Sequence, residues 1–262
     1  TGKRKGDSKM RIAIVTGASS GLGREFVRQL EAFYKNLDEI WVIARREERL
    51  QQLKETQHTY IRIFAGDMKQ DLVYKQIQNR LENQQPDIRM LVNAAGFGKF
   101  GTVEEISLSE CATQTDMIDV NCRALTKMVG ICLPYFSKGS RIINLASAAA
   151  FCPQSGFAVY AATKAYVLSF SRALHAELKE KGIYVTAVCP GPVETEFFDE
   201  AGNSGSLTKE SLMARPEAVV SQALSDSRCK KEVSVYGIMM KGAEAAAKLL
   251  PHSLVIQMMK KL

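Results

Sequence analysis

The sequence predicts an α/β fold: one domain built on a parallel, doubly wound sheet flanked by helices. Three observations carry this. From Arg11 onward, short β-branched runs alternate with longer segments of helical period, the pattern of repeated βαβ units. A glycine-rich turn, VTGASSGLG, joins the first such run to the first helical segment. The length of 262 residues, 46% hydrophobic and 24% charged, suits a single core near the upper size that one domain reaches.

In chain order, RIAIVT is the first strand, and residues 21–34 form a helix because Leu22, Phe26, Val27, Leu30 and Phe33 recur at helical period. EIWVIA is the second strand, followed by a charged helix over about 46–57. YIRIFAG is the third, followed by a helix over about 72–83. IRMLVN is the fourth strand, and a long helical region separates it from SRIINLA. A helix over about 157–180 leads to IYVTAVC, and EVSVYG is the last strand. The polar stretch EAGNSGSLTKES marks a surface excursion over about 196–216, ended where Pro216 starts a helix.

Both ends of the chain stand apart from this plan. Residues 1–10 carry four basic residues and one acidic one, +3 of the formal +7, and are expected to be a tag or disordered leader ahead of Met10. Residues 11–262 are then expected to form the single domain. Pro251 is expected to start a helix over about 251–262, with Leu254, Val255, Met258, Met259 and Leu262 along one side and Lys260 and Lys261 near its end. Folding back on the domain, covering a cleft, contacting another subunit and resting on a membrane surface are all open to such a helix.

Composition excludes several classes. The charge outside the leader is diffuse, with no basic helix stripe, which argues against nucleic acid. Six cysteines without a C-x-x-C pair read as small core residues of a reduced, cytoplasmic protein. Three scattered histidines give no metal site, and no apolar run is long enough to span a membrane.

The turn containing Gly17, Ser19, Ser20, Gly21, Leu22 and Gly23 has the spacing G-x-x-x-G-x-G. Placed between a first strand and a helix N-terminus, it lets a pyrophosphate approach the unpaired N–H groups there. In such a Rossmann arrangement the end of the second strand faces the adenosine ribose, where an acidic residue suits NAD and arginine suits NADP. Here the strand ends in Ala44, Arg45 and Arg46, so NADP(H) is expected. Asp67, beside Met68, suits either the adenine amino group or a helix cap.

Tyr160 and Lys164 stand four residues apart, on one helix face. An ammonium beside the phenol would lower the tyrosine pKa toward the range useful for proton transfer. Ser147 closes a strand at the end where open parallel sheets bind ligands. Asn121 is an amide within an apolar helical segment and must find partners.

These residues resemble the short-chain dehydrogenase/reductase family, in which hydroxysteroid dehydrogenases occur. The likeness spans Arg11 to about Phe197 and rests on TGASSGLG, on NAAG from Asn93 through Ala94 to Gly96, on Asn121, Ser147, Tyr160 and Lys164, and on PGPVET from Pro190 to Thr195. It implies reversible reduction of a carbonyl with hydride exchanged at the nicotinamide. Tyr160 would be the acid or base, Ser147 would hold the substrate oxygen, and Lys164 would bind the nicotinamide ribose and lower the tyrosine pKa. Asn121 would keep a proton-relaying water, Thr195 and the backbone beside Gly191, in a segment that includes Val193, would position the carboxamide, and Asn93 would stabilise the sheet centre. A homodimer or homotetramer is also implied. Two departures stand out: Ala94 replaces the family's second asparagine, and Ala149 and Ala150 follow the serine. Phe97, Phe100, Phe151, Phe157, Val159, Phe197 and Phe198 are expected to wall an apolar cleft for a ketone or secondary alcohol as large as a steroid or a fatty acyl group.

Overall fold

The structure is a computed structural model that describes residues 9–202, 213–249 and 251. Its frame is a seven-stranded sheet in the order β3-β2-β1-β4-β5-β6-β7, with every pairing parallel. The strands are β1 (Arg11–Thr16), β2 (Glu39–Ala44), β3 (Tyr60–Ala65), β4 (Asp87–Asn93), β5 (Phe136–Leu145), β6 (Tyr184–Val188) and β7 (Val233–Ser234). The chain winds outward from β1 to β3, then returns to β4 on the other side of β1. That reversal makes a crevice at the C-terminal ends of β1 and β4.

Strands covered on both faces need apolar side chains at nearly every position, which is why the runs were readable. Along β1, Ala13 and Val15 enter one core layer with Phe26 and Leu30 of α1 (Gly21–Phe33) and Val219 and Val220 of α9 (Pro216–Arg228). Ile12 and Ile14 enter the opposite layer with Tyr74 and Ile77 of α3 (Asp71–Gln84) and Leu174 of α7 (Ala158–Lys179). Each fully buried aliphatic side chain contributes about 1.5–3 kcal/mol relative to exposure.

The charged helix α2 (Glu47–Glu55) begins one residue later than expected, with Glu47 and Glu48 in its first turn where the helix dipole favours them. The region between β4 and β5 differs more. It breaks into α4 (Val103–Ser109), α5 (Thr113–Ile118), a π-helical segment Asp119–Ala124 and α6 (Leu125–Cys132). Thr102 starts α4 through a capping box with Glu105. The last strand is two residues long rather than six, because β7 lies at the sheet edge and pairs only with the end of β6.

After β6, a short helix α8 (Phe197–Ala201) opens the polar excursion, most of which lies outside the described residues. The helix α10 (Ile238–Leu249) packs near the 3-10 turn Ala148–Phe151. The helix expected over 251–262 falls outside the described residues, apart from Pro251, as does the leader except for its last two residues. Among the described residues no helix is long and apolar enough to cross a membrane, and no cluster of metal-ligating side chains occurs.

Candidate active site

The C-terminal ends of β1, β2, β4, β5 and β6 surround one cavity of about 670 Å³. Every residue expected to bind a cofactor or act in catalysis lines it, except Asn93 and Asn121.

At one end lies the glycine turn. Gly17 has φ 68°, and a Cβ there would come within 2.7 Å of the Ala95 amide nitrogen, so the turn must be glycine to pass beneath the loop after β4. Thr16 Oγ1 accepts from the amides of Ala94 and Ala95 at 3.1 Å each and fastens the two loops together. Ser20, the N-cap of α1, makes no side-chain bond to the first turn, and no acidic residue lies there. The first-turn N–H groups are thus left without a side-chain acceptor, and an anion suits them.

Arg45 and Arg46 line the same end. Arg46 donates to Ser20 Oγ at 2.8 Å and to Glu196 at 3.0 Å. Asp67 accepts from the amide of Lys69 at 2.9 Å, whereas the N-cap of α3 is Gln70. The aspartate therefore closes a turn beside the cavity and does not cap that helix. Met68 is buried, and its carbonyl accepts from the Tyr74 hydroxyl.

Asn93 lies beneath the cavity. Its amide donates to Asn144 at 2.9 Å, and Asn144 donates to Ser171 at 2.9 Å, linking β4, β5 and α7 through the buried middle of the fold. It is therefore placed to brace the sheet. Asn121 is also beneath the wall. Its two N–H donors go to the Phe97 carbonyl at 2.9 Å and Thr163 Oγ1 at 3.0 Å, while its Oδ1 accepts from the Phe97 amide at 3.0 Å. With both donors committed, the amide ties the loop after β4 to α7. It does so from a π-helical segment, a local widening that helices often show at functional sites.

At the other end stand Ser147, Tyr160 and Lys164. Ser147 Oγ accepts from the Ala149 amide at 3.1 Å and caps the 3-10 turn. Its side chain also hydrogen-bonds with Tyr160, which pulls the phenol pKa down. Burial outweighs this and pushes that pKa up to about 12. The expected lowering by Lys164 is therefore corrected: Lys164 Nζ lies 5.5 Å from the phenol ring centroid and donates instead to the Leu145 carbonyl at 2.8 Å. Lys164 is itself buried, which pulls its pKa down to about 8, partly opposed by Cys122 and Cys189.

Aromatic rings explain the burial. Tyr160 stacks on Phe157 with centroids 4.2 Å apart, Phe157 stacks on Phe100 at 4.0 Å, and Phe197 leans on Tyr160 at 5.4 Å. Of the expected wall, Val159 packs behind this cluster and does not line the cavity. Glu196, Arg49, Asn144 and Met240 were not singled out in the sequence. Asn144 alone left a trace, as an amide inside an apolar strand.

Fold and site together define a doubly wound α/β protein with a glycine-turn cleft and a serine, tyrosine and lysine at its far end. Residues 11–204 match the short chain dehydrogenase family. The chain is 31% identical over 214 residues to an uncharacterized oxidoreductase of Staphylococcus epidermidis, covering 81% of this chain and 90% of that protein. It is 32% identical over 195 residues to sulfoacetaldehyde reductase 2 of Chromohalobacter salexigens, covering 71% and 74%. Its fold is similar to that of a short-chain dehydrogenase from Sphingobium yanoikuyae solved in complex with NADPH, with TM-score 0.77, 23% identity and 96% of each chain covered. This chain belongs to the short-chain dehydrogenase/reductase family of nicotinamide-dependent oxidoreductases.

Proposed function

We propose that the protein is an NADP(H)-dependent oxidoreductase that interconverts an apolar ketone and a secondary alcohol. The observation that carries this is the single cavity whose one end holds the glycine turn with Arg45 and Arg46 and whose other end holds Ser147, Tyr160 and Lys164. A bound nicotinamide would supply or accept the hydride. The N-terminus of α1 would hold the pyrophosphate, and Arg45 and Arg46 the ribose 2′-phosphate. Thr195 and the backbone of Gly191 would hold the carboxamide, and Lys164 the nicotinamide ribose.

Ser147 would donate to the substrate oxygen, and Tyr160 would give that oxygen its proton as the hydride reaches carbon. In oxidation, the same phenol would take the proton back. A phenol kept protonated by burial already carries the proton that reduction consumes. Phe97, Phe100, Phe151, Phe157, Phe197 and Phe198 line the cavity and favour an apolar substrate, with steroids and fatty acyl groups within that class. A homodimer or homotetramer belongs to this reading. Exposed Ile118 and Tyr166, near Asn121 and Tyr160 in sequence, supply apolar surface for it.

The test is to follow NADPH absorbance against a panel of ketones, steroids, aldehydes and acyl thioesters. Turnover concentrated among apolar ketones is the expected result. NADPH binding without turnover of any member would favour a cofactor-sensing role instead.

A further inference from the structure

Glu196 sits between Thr195, which packs on Gly21 of the glycine turn, and Phe197, which packs on Tyr160. Its carboxylate is gripped by two guanidinium groups. Arg46 donates to Oε2 at 3.0 Å, and Arg49 donates to Oε1 at 2.6 Å and Oε2 at 2.8 Å. The other face of Arg46 holds Ser20, the N-cap of α1. One guanidinium thus joins the phosphate-binding turn to a carboxylate that is 150 residues away in sequence.

A guanidinium presents the same fork of N–H donors to a carboxylate and to a phosphate. Arg46 and Glu196 both line the cavity at its arginine end. An anion arriving there meets an arginine already neutralised by a side chain of the same chain. The pair is partly open to solvent, with side-chain exposures of 35% and 39%, so it is weak enough for a doubly charged phosphate to displace.

We propose that Glu196 is a specificity-determining residue for the adenosine end of the cofactor: an internal carboxylate that occupies Arg46 until a ribose 2′-phosphate displaces it. The proposal rests on the NADP reading above. Competition of this kind lowers the affinity for NADP(H) and leaves that for NAD(H), which brings no such phosphate, almost untouched. Glu196 therefore narrows the gap between the two cofactors that the arginines create.

The test is a set of fluorescence titrations of the whole protein with NADPH and with NADH, for the parent, Glu196→Gln, Arg46→Ala and the double variant. Glu196→Gln is expected to tighten NADPH binding by about 3- to 10-fold and to change NADH binding by less than about twofold. In the Arg46→Ala background the same substitution is expected to have little effect on NADPH. Unchanged or weaker NADPH binding, equal tightening of both cofactors, or a full effect without Arg46 would overturn the proposal, the last pointing to a general charge effect. A parent protein that binds NADPH no tighter than NADH would strike down the NADP reading itself, and this proposal with it.

Discussion

Lys164 donates from Nζ to the carbonyl oxygen of Leu145 across 2.8 Å, tying an ammonium on α7 to the end of β5 within a buried environment. The cost of that burial shows in its pKa, drawn from 10.5 down to about 8. The unfolded chain therefore binds the proton more tightly than the folded one between these values, and stability gained by the native state rises as pH climbs from about 8 toward 10.5. Lys164→Met removes this penalty. The gain in stability over the parent is expected to be greatest at neutral pH and to shrink above pH 8, while loss of the donor to the Leu145 carbonyl offsets part of it at every pH. Denaturant melts across pH check this; an advantage that grows with pH would contradict it.

Tyr160→Phe keeps the ring that stacks on Phe157 and Phe197, so the fold and the cavity should persist. Losing the proton donor is expected to lower kcat by at least about 100-fold. NADPH binding should change by less than about twofold, because the hydroxyl is not among the groups assigned to the phosphates. Steady-state rates beside cofactor titration separate these effects, and turnover like the parent's would end the proposed mechanism.

Arg45→Ala removes an exposed guanidinium that lines the cavity at the end of the glycine turn. The NADPH dissociation constant is expected to rise about tenfold and the NADH constant to stay nearly level. Equal weakening of both cofactors would mean that Arg45 does not read the phosphate.

Asn121→Ala would strand the backbone carbonyl and amide of Phe97. Groups fully buried without partners cost about 1–3 kcal/mol each, and these two are only part-buried, so a loss of about 1–3 kcal/mol in unfolding free energy is expected. A melt within about 0.5 kcal/mol of the parent's would show that water or a local shift replaces the amide.

Gly98 passes beside the aromatic cluster: a Cβ there would lie 2.8 Å from Phe197 and 2.9 Å from both Phe157 and Tyr160. Gly98→Ala should therefore force these rings apart at a cost of about 1–3 kcal/mol. KM for a bulky ketone is expected to change more than NADPH affinity, since in the proposed function these rings wall the substrate. The opposite order, measured by kinetics and titration, would place the aromatic wall elsewhere in function.

Local pattern explains what was legible. The six long strands announced themselves as apolar runs because both faces of a parallel sheet are covered. Tyr160 and Lys164 were readable because four-residue spacing puts them on one helix face whatever surrounds the helix. The breaks after Ser109 and within Asp119–Ala124 were not, since the polar and apolar residues there fit one continuous helix equally well. Nor was the partnership of Arg46 with Glu196, which depends on how the loop after β6 returns across the sheet.

The sequence by itself determined the parallel α/β class, the tight glycine turn between the first strand and helix, and the family's serine, tyrosine and lysine, because these follow from periodicity, spacing and residue type. Only the tertiary structure decided that burial raises the phenol's pKa, that the lysine donates a hydrogen bond to the Leu145 carbonyl, and which arginines meet a carboxylate. Those outcomes depend on what covers each group and which loop ends beside it, and desolvation and charge pairing act through space, without regard to order along the chain.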